Sequence, residues 1–178
     1  MLEYTIRPID ESRESDLQAV RDIYNEAVIR GGASADLVPV SLDARRAWVD
    51  SHQPRDKYPV VVIDVTDPAT GTSTVAGFGS LSKFHQRAGY DGITELSYYI
   101  AGTYHGHKLG TALVQWLLDA AKTRNFTHAT AIIYADNAGS IALMHKFGFT
   151  RFGLLPAAVT TAGDPTPKDM SYWVKPLC

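Results

Sequence analysis

Asn137-Ala-Gly-Ser140-Ile-Ala-Leu143-Met-His-Lys-Phe-Gly148-Phe149 decides how this chain is read. An Asn able to cap a helix opens it. An amphipathic run follows, Gly148 stops the helix, and an aromatic enters the next strand. A second unit lies upstream, Tyr104-His-Gly-His-Lys-Leu-Gly110-Thr-Ala-Leu-Val114. There a glycine turn runs straight into another amphipathic helix. Unpaired N–H groups at such a helix start bind phosphate, and the helix dipole adds to them. Each unit alone is a weak signal; the ordered pair is far more specific.

Outward from these units, strands and helices alternate. Residues 4–7 read as a short strand ending at Pro8. Residues 14–28 are helical, with Leu17, Val20, Ile23, Tyr24 and Val28 on one face and Ser12 or Ser15 as the cap. After a Gly31-Gly32 loop, a second helix follows its N-cap Ser41 to Val49. Residues 58–65 form a continuous β-branched run, the pattern of a strand buried on both faces. Asp67-Pro-Ala-Thr-Gly71 turns the chain back into a strand at 74–81. A polar, aromatic loop at 82–91 precedes a strand at 93–100. A helix at 109–124, a strand at 129–134 and a helix at 140–147 follow. Strands at 149–154 and 170–174 close the chain, with a turn at Gly163-Asp-Pro-Thr-Pro167 between them. The order is β-α-α-β-β-β-α-β-α-β-β. It predicts one α/β domain over residues 1–178, with a mixed central sheet of six to seven strands and four helices.

Composition excludes several function classes. The chain has 178 residues, enough for one well-buried domain and too few for two. Net charge is −2, which gives no general drive toward nucleic acid or an anionic membrane. The longest apolar run, Val60 to Ile63, is far too short for a membrane span. The N-terminus meets Glu3 at once and carries no apolar signal core. A cytoplasmic protein is expected. The single Cys, Cys178, is the last residue, so an intramolecular disulfide is impossible and a zinc site would lack thiolates. It reads as a terminal thiol rather than a nucleophile, and no metal is expected.

The ordered pair of units resembles the cofactor-binding half of the GCN5-related N-acetyltransferases (GNAT), which use acetyl-coenzyme A. The resemblance narrows at Phe84-His85-Gln86-Arg87-Ala88-Gly89-Tyr90 and Thr94-Glu95-Leu96-Ser97-Tyr98-Tyr99-Ile100. These look like the aromatic-basic loop and following strand of the phosphinothricin and methionine sulfoximine acetyltransferases. Tyr24-Asn25-Glu26-Ala27-Val28 fits the same branch, as does Pro39-Val-Ser41-Leu followed by Arg45-Arg-Ala-Trp48. The similarity covers residues 4–155.

The resemblance implies roles for particular residues. Attack on a thioester needs a neutral amine, and a carboxylate in reach can take the ammonium proton. Glu95 is the implied base; without the family-like strand around it, an edge-strand Glu facing solvent is the simpler reading. Tyr98, Tyr99 and Ile100 would pair through their backbone with the pantetheine amides. Gly106, His107, Lys108, Leu109, Gly110 and Thr111 would hold the pyrophosphate. Asn137 would contact pantetheine, with Ser140 in the same helical turn. Asn137 is equally an ordinary N-cap, and it can serve as both. The acceptor would meet His85, Gln86, Arg87 and Tyr90 of the loop, together with Glu95, Leu96 and Ser97. Arg87 suits a carboxylate or phosphinate because its fork binds in bidentate fashion.

Two departures stand out. The family turn commonly reads Arg/Gln-x-x-Gly-x-Gly; here His105 and Lys108 replace the Arg/Gln and a Gly. Lys108 either adds charge for phosphate or crowds the turn. The family also commonly places a Tyr or His seven residues after the Asn, where this chain has Met144. His145 is one position on, about 100° around the helix. His145 is either a displaced general acid or a solvent-facing residue, and helix register favours Met144 as the residue lining the pocket. The implied activity is acetyl-coenzyme A-dependent N-acetylation of a small amino-acid-like amine, by direct transfer in a ternary complex. Acceptors of another kind (a polyamine, an aminoglycoside, a peptide N-terminus) are the alternative within enzymes. A non-catalytic acyl-coenzyme A-binding module is the alternative outside them. A homodimer is implied because the branch is often dimeric.

Overall fold

The computed structural model describes residues 2–177; Cys178 lies outside the described residues. The elements are β1 (Glu3–Pro8), α1 (Glu14–Arg30), α2 (Leu42–Asp50), β2 (Val60–Thr66), β3 (Ser73–Lys83) and β4 (Ile93–Ile100). They continue as α3 (Leu109–Thr123), β5 (His128–Tyr134), α4 (Ala138–Lys146), β6 (Thr150–Thr161) and β7 (Asp164–Pro176). The strands form one seven-stranded sheet in the order β1-β2-β3-β4-β5-β7-β6. All neighbours are antiparallel except β4 and β5. The architecture is the α/β mixed sheet with four helices that the element order predicts.

Strand β2 explains the two-layer core. Val60 and Val62 pack with Leu17, Val20, Ile23 and Val49 of α1 and α2. Val61, Ile63 and Val65 point the other way, into a core with Leu109, Leu113, Val114 and Leu117 of α3 and Met144 of α4. A strand covered on both faces needs apolar side chains at every position, which is why its sequence runs without alternation. Each fully buried Val or Ile there contributes about 1.5–3 kcal/mol. Arg7 ties the α1 side together: Nη2 donates to Asp16 at 3.0 Å and Nε to Asp64 at 2.6 Å.

Three details differ from the sequence reading. Neither Ser12 nor Ser15 caps α1; Arg13 holds the N-cap position without a side-chain bond. Ser12 instead turns back onto Asp10, its N–H and hydroxyl both donating to the Asp10 carboxylate. The last two strands are also longer than expected, and the predicted turn at 163–167 shrinks to the tip around Gly163. Pro165 and Pro167 are tolerated in β7 because β5 pairs with β7 only from Met170 onward, which leaves residues 164–169 one free side. Among the described residues no helix is long and apolar enough to cross a membrane.

Candidate active site

Strands β4 and β5 pair over three positions only, Ile93 with His128, Thr94 with Ala129, and Glu95 with Thr130. Beyond Glu95 they part, although β4 stays bonded to β3 and β5 to β7. The facing edges from Leu96 to Ile100 and from Ala131 to Tyr134 are therefore open. They border a cavity of about 770 Å³, which the starts of α3 and α4 and the loop at 33–36 complete. A strand edge with unpaired N–H and C=O groups is a template for an amide-bearing chain.

The start of α3 forms the floor at one end. Gly106 has φ 81°, and a Cβ there would meet nothing within 4 Å. Lys108 holds the N-cap position of α3 in the left-handed region, with φ 64° and ψ 11°. No side chain caps this helix, so its first N–H groups stay available. The turn is fixed from behind. His105 Nε2 bonds to the Ile100 carbonyl at 2.9 Å, and the Glu26 carboxylate accepts from Gly102 N–H at 2.9 Å. His105 thus does positional work where the family has Arg or Gln. Lys108 keeps a left-handed backbone shape that favours glycine, and the residue borders the cavity.

At the other end the residues of β4 alternate between layers. Tyr99 belongs with the α1 and α2 core, stacked on Phe78 with ring centroids 5.2 Å apart and edge-on to Tyr24. Leu96, Tyr98 and Ile100 pack toward α3 and α4. Glu95 is half-buried at the point where the strands part, and among the described residues its carboxylate has no hydrogen-bond partner. Burial alone pushes its carboxyl pKa up. The Tyr98 hydroxyl is buried in the same cavity. Burial raises its pKa, and the nearby Ser140 hydroxyl offsets part of that without reaching hydrogen-bond geometry. Asn137 caps α4, its Oδ1 accepting from Ser140 N–H at 3.1 Å while Nδ2 donates to the Gly32 carbonyl at 3.2 Å. The N-cap reading of Asn137 is thus realised, and the residue also lines the cavity.

The family model for the acetyltransferase (GNAT) domain matches residues 4–150. The chain is a GNAT acetyltransferase.

This GNAT chain is 34% identical over 152 residues to the L-methionine sulfoximine/L-methionine sulfone acetyltransferase of Salmonella typhimurium, covering 85% of the chain and 83% of that protein. It is 32% identical over 148 residues to the enzyme of the same name from Pseudomonas aeruginosa, covering 83% of each. Its fold matches a phosphinothricin acetyltransferase from Sinorhizobium meliloti, solved in complex with acetyl-coenzyme A, with TM-score 0.83 and 29% identity over 97% of this chain and 88% of that one. The protein is an acetyl-coenzyme A-dependent N-acetyltransferase. The residues present fit that cosubstrate: an open strand edge of the right kind and an uncapped helix start lie in one cavity. Among the described residues no group of three His, Cys, Asp or Glu is placed to hold a metal ion.

The GNAT cavity gathers some predicted site residues and leaves others out. Glu95 through Ile100, Gly106, Lys108 through Thr111, Asn137 and Ser140 line it. His107 is exposed beside it. His85, Gln86, Arg87 and Tyr90 are exposed, and none of them borders this cavity. His85 and Tyr90 pack against each other at 4.6 Å instead. His145 is exposed on α4 and meets the edge of Trp173 at 5.1 Å, away from the cavity. The expectation that Met144 lines the pocket is corrected: Met144 is fully buried in the core, and Leu143 borders the cavity in its place. Helix α4 begins at Ala138 and lays its inner face on the core, so the register points Met144 at the core. Tyr24, Ser34 and Asp36 are cavity residues that sequence reasoning did not assign. They come from α1 and its following loop, joined by the Tyr24 hydroxyl, which donates to Asp36 at 2.6 Å and lies 2.7 Å from the Ser34 hydroxyl.

Proposed function

We propose that this enzyme acetylates the primary amine of small amino-acid-like acceptors of the methionine sulfoximine or phosphinothricin type. The observation that carries the reading is Glu95, an unpartnered carboxylate with a burial-raised pKa at the fork of β4 and β5. A carboxylate of raised pKa is a better base for an ammonium near neutral pH. The names of the relatives above support the acceptor class.

Acetyl-coenzyme A supplies an activated acetyl thioester. The α3 start holds its pyrophosphate through the free N–H groups of residues 109–111, with Lys108 adding charge. The open edge of β4 at Tyr98, Tyr99 and Ile100 pairs with the pantetheine arm, and Asn137 and Ser140 flank it. Glu95 takes the ammonium proton, directly or through a water. The Tyr98 hydroxyl, held protonated by burial, is the donor for the departing thiolate. Base and donor thus lie three residues apart on opposite faces of one strand, with the acetyl group between them. Transfer is direct, since no cysteine lies among the described cavity residues. His145 has no part in this scheme. The exposed loop residues His85, Gln86, Arg87 and Tyr90 guide the acceptor inward rather than hold it. Phe152, Leu154 and Leu155 are exposed on the edge strand β6, which supports a homodimer through that edge. We assign the enzyme to the cytoplasm.

A thiol-release screen tests the acceptor class. Amino acids, phosphinothricin and methionine sulfoximine should outperform polyamines, aminoglycosides and peptides in kcat/KM. A clear preference for any of the last three would replace this reading.

A further inference from the structure

Residues 31–41 join α1 to α2 without regular structure, and the stretch from Gly32 to Asp36 runs along the cavity as a strap. Three successive carbonyls of this strap each accept from a different element. Gly32 takes Nδ2 of Asn137 at 3.2 Å, Ala33 the Tyr99 hydroxyl at 3.3 Å and Ser34 the Tyr134 hydroxyl at 3.1 Å. The Gly32 N–H donates in turn to Thr161 Oγ1 of β6 at 2.8 Å. Gly31 and Gly32 lead into the strap with φ 76° and 73°, and a Cβ on Gly31 would come within 3.1 Å of the same Thr161 oxygen.

The placement of the two tyrosines gives this pattern a purpose. Strands β4 and β5 last pair at Glu95 and Thr130. Tyr99 and Tyr134 each lie four residues further on, so they stand at one level on the two arms of the fork and share the face of Glu95. The strap is thus tied to both arms, to the cap of α4 and to β6, each time through its own backbone. It presents Ser34 and Asp36 to the cavity, where the Tyr24 hydroxyl meets both. Asn137 belongs to both halves of the cleft. Its amide gives one N–H to the strap and one lone pair to the helix cap, and a second of each remains for the coenzyme. Tyr134 is 3% exposed, and nothing in the catalytic scheme uses its hydroxyl. The same hydroxyl also reaches the Thr160 carbonyl at 2.8 Å, which adds a tie to β6.

We propose that Tyr134 is a positioning residue for the acceptor: with Tyr99, Asn137 and Thr161 it pins the strap across the fork, so that one wall of the acceptor site stands ready before the amine arrives. The proposal rests on the reading that the amine approaches Glu95 from this face, and not on the class of amine. When a pin is lost, only the molecules whose strap is in place bind the acceptor. Apparent affinity falls by that fraction, while the chemistry in a bound molecule is unchanged. The signature of the strap is therefore a raised acceptor KM at constant kcat.

Two variants carry the test, Tyr134→Phe and Thr161→Val, assayed with acetyl-coenzyme A and methionine sulfoximine. Each removes one hydroxyl and keeps the side-chain shape. Thr161 is not among the residues that border the cavity, so its effect reaches the acceptor only through the strap. In both variants the acceptor KM should rise about 3- to 10-fold, the range of a single hydrogen bond. The kcat and the calorimetric Kd for acetyl-coenzyme A should stay within about twofold, because neither the fork nor the helix starts are touched. Hydrogen exchange at residues 32–36 should speed up in both. Faster exchange there with an unchanged acceptor KM makes the strap merely structural and overturns the proposal. A KM rise in Tyr134→Phe alone, with Thr161→Val silent, makes Tyr134 a direct acceptor contact and overturns it as well. Should Tyr134→Phe fail to fold, Tyr99→Phe removes the neighbouring pin and should give the same split of KM from kcat. If the wild type turns over putrescine and not methionine sulfoximine, the amino-acid reading falls by itself. The strap then stands if the putrescine KM rises in the same way, and falls if it does not.

Discussion

The two halves of this cleft are built from different materials. The proposed coenzyme half, from the open edge of β4 through α3 to the cap of α4, is a backbone site. Its working parts are N–H and C=O groups left free by a strand fork and a helix start. The proposed acceptor half, between α1 and β4, is a side-chain site of Glu95, Tyr24 and Asp36, drawn from β4, α1 and the loop after α1. A backbone site tolerates substitution as long as the chain path survives. Lys108 demonstrates this by holding a left-handed conformation that favours glycine. A side-chain site changes character with each residue, so acceptor choice can drift while coenzyme binding stays.

Mutations should divide along the same line. Glu95→Gln should be the most damaging, lowering kcat/KM at neutral pH by roughly 10²–10⁴-fold while leaving coenzyme affinity intact. Because burial raises the Glu95 pKa, the acidic limb of the wild-type pH–rate profile should lie above the ordinary carboxylate range, and the variant should lose that limb. Its deficit should shrink as pH rises and free amine becomes abundant. Stability should move oppositely. A raised folded-state pKa contributes stability that is fully present below the unfolded pKa and lost as pH rises through the folded one. Near neutrality the Gln variant should therefore melt no lower than the wild type. An unchanged neutral rate would remove Glu95 from the mechanism.

Tyr98→Phe comes next. It removes one hydroxyl and should lower kcat by about 10²-fold, the low end for a proton donor, because coenzyme A thiolate leaves readily. The thiol pKa of bound coenzyme A, followed by thiolate absorbance, should rise in the variant. An unmoved thiol pKa would show that the hydroxyl does not meet the sulfur.

Lys108→Gly tests the backbone half and should be mild. Relief of the left-handed conformation should stabilise the fold by about 1 kcal/mol. Coenzyme affinity should weaken only a few-fold, and chiefly at low salt, since an exposed charge is screened. Tighter binding would mean that the Lys108 side chain obstructs the pyrophosphate. His145→Ala should do least, shifting kcat by about twofold at most, as expected of a surface position. A large kcat loss with the fold intact would bring α4 back into the chemistry.

Much of the fold was readable because its signals are local. The β2 run, the Ser41 cap of α2, the Asn137 cap of α4 and the Gly148 stop each depend on neighbours a few residues away, and each holds in the structure. The differences lie where a distant partner decides. Prolines at 165 and 167 read as a turn until the missing β5 partner frees one side of β7. Arg87, which the resemblance placed at the acceptor, is exposed and does not border the cavity.

The sequence by itself determined the family fold and the glycine turn that opens α3, and it singled out Glu95 as the proposed base. Those rest on periodicity, glycine placement and caps, which act over a few residues and need no knowledge of the whole. The tertiary structure alone decided that Met144 is core, that His145 is outside, that Tyr98 presents an unpartnered hydroxyl, and that Arg45 is buried against aromatic rings. Burial and pairing depend on residues far apart in the chain. Arg45 meets Tyr24, Phe78 and Tyr99 only after α1, α2 and the sheet have packed, and no local spacing encodes that meeting.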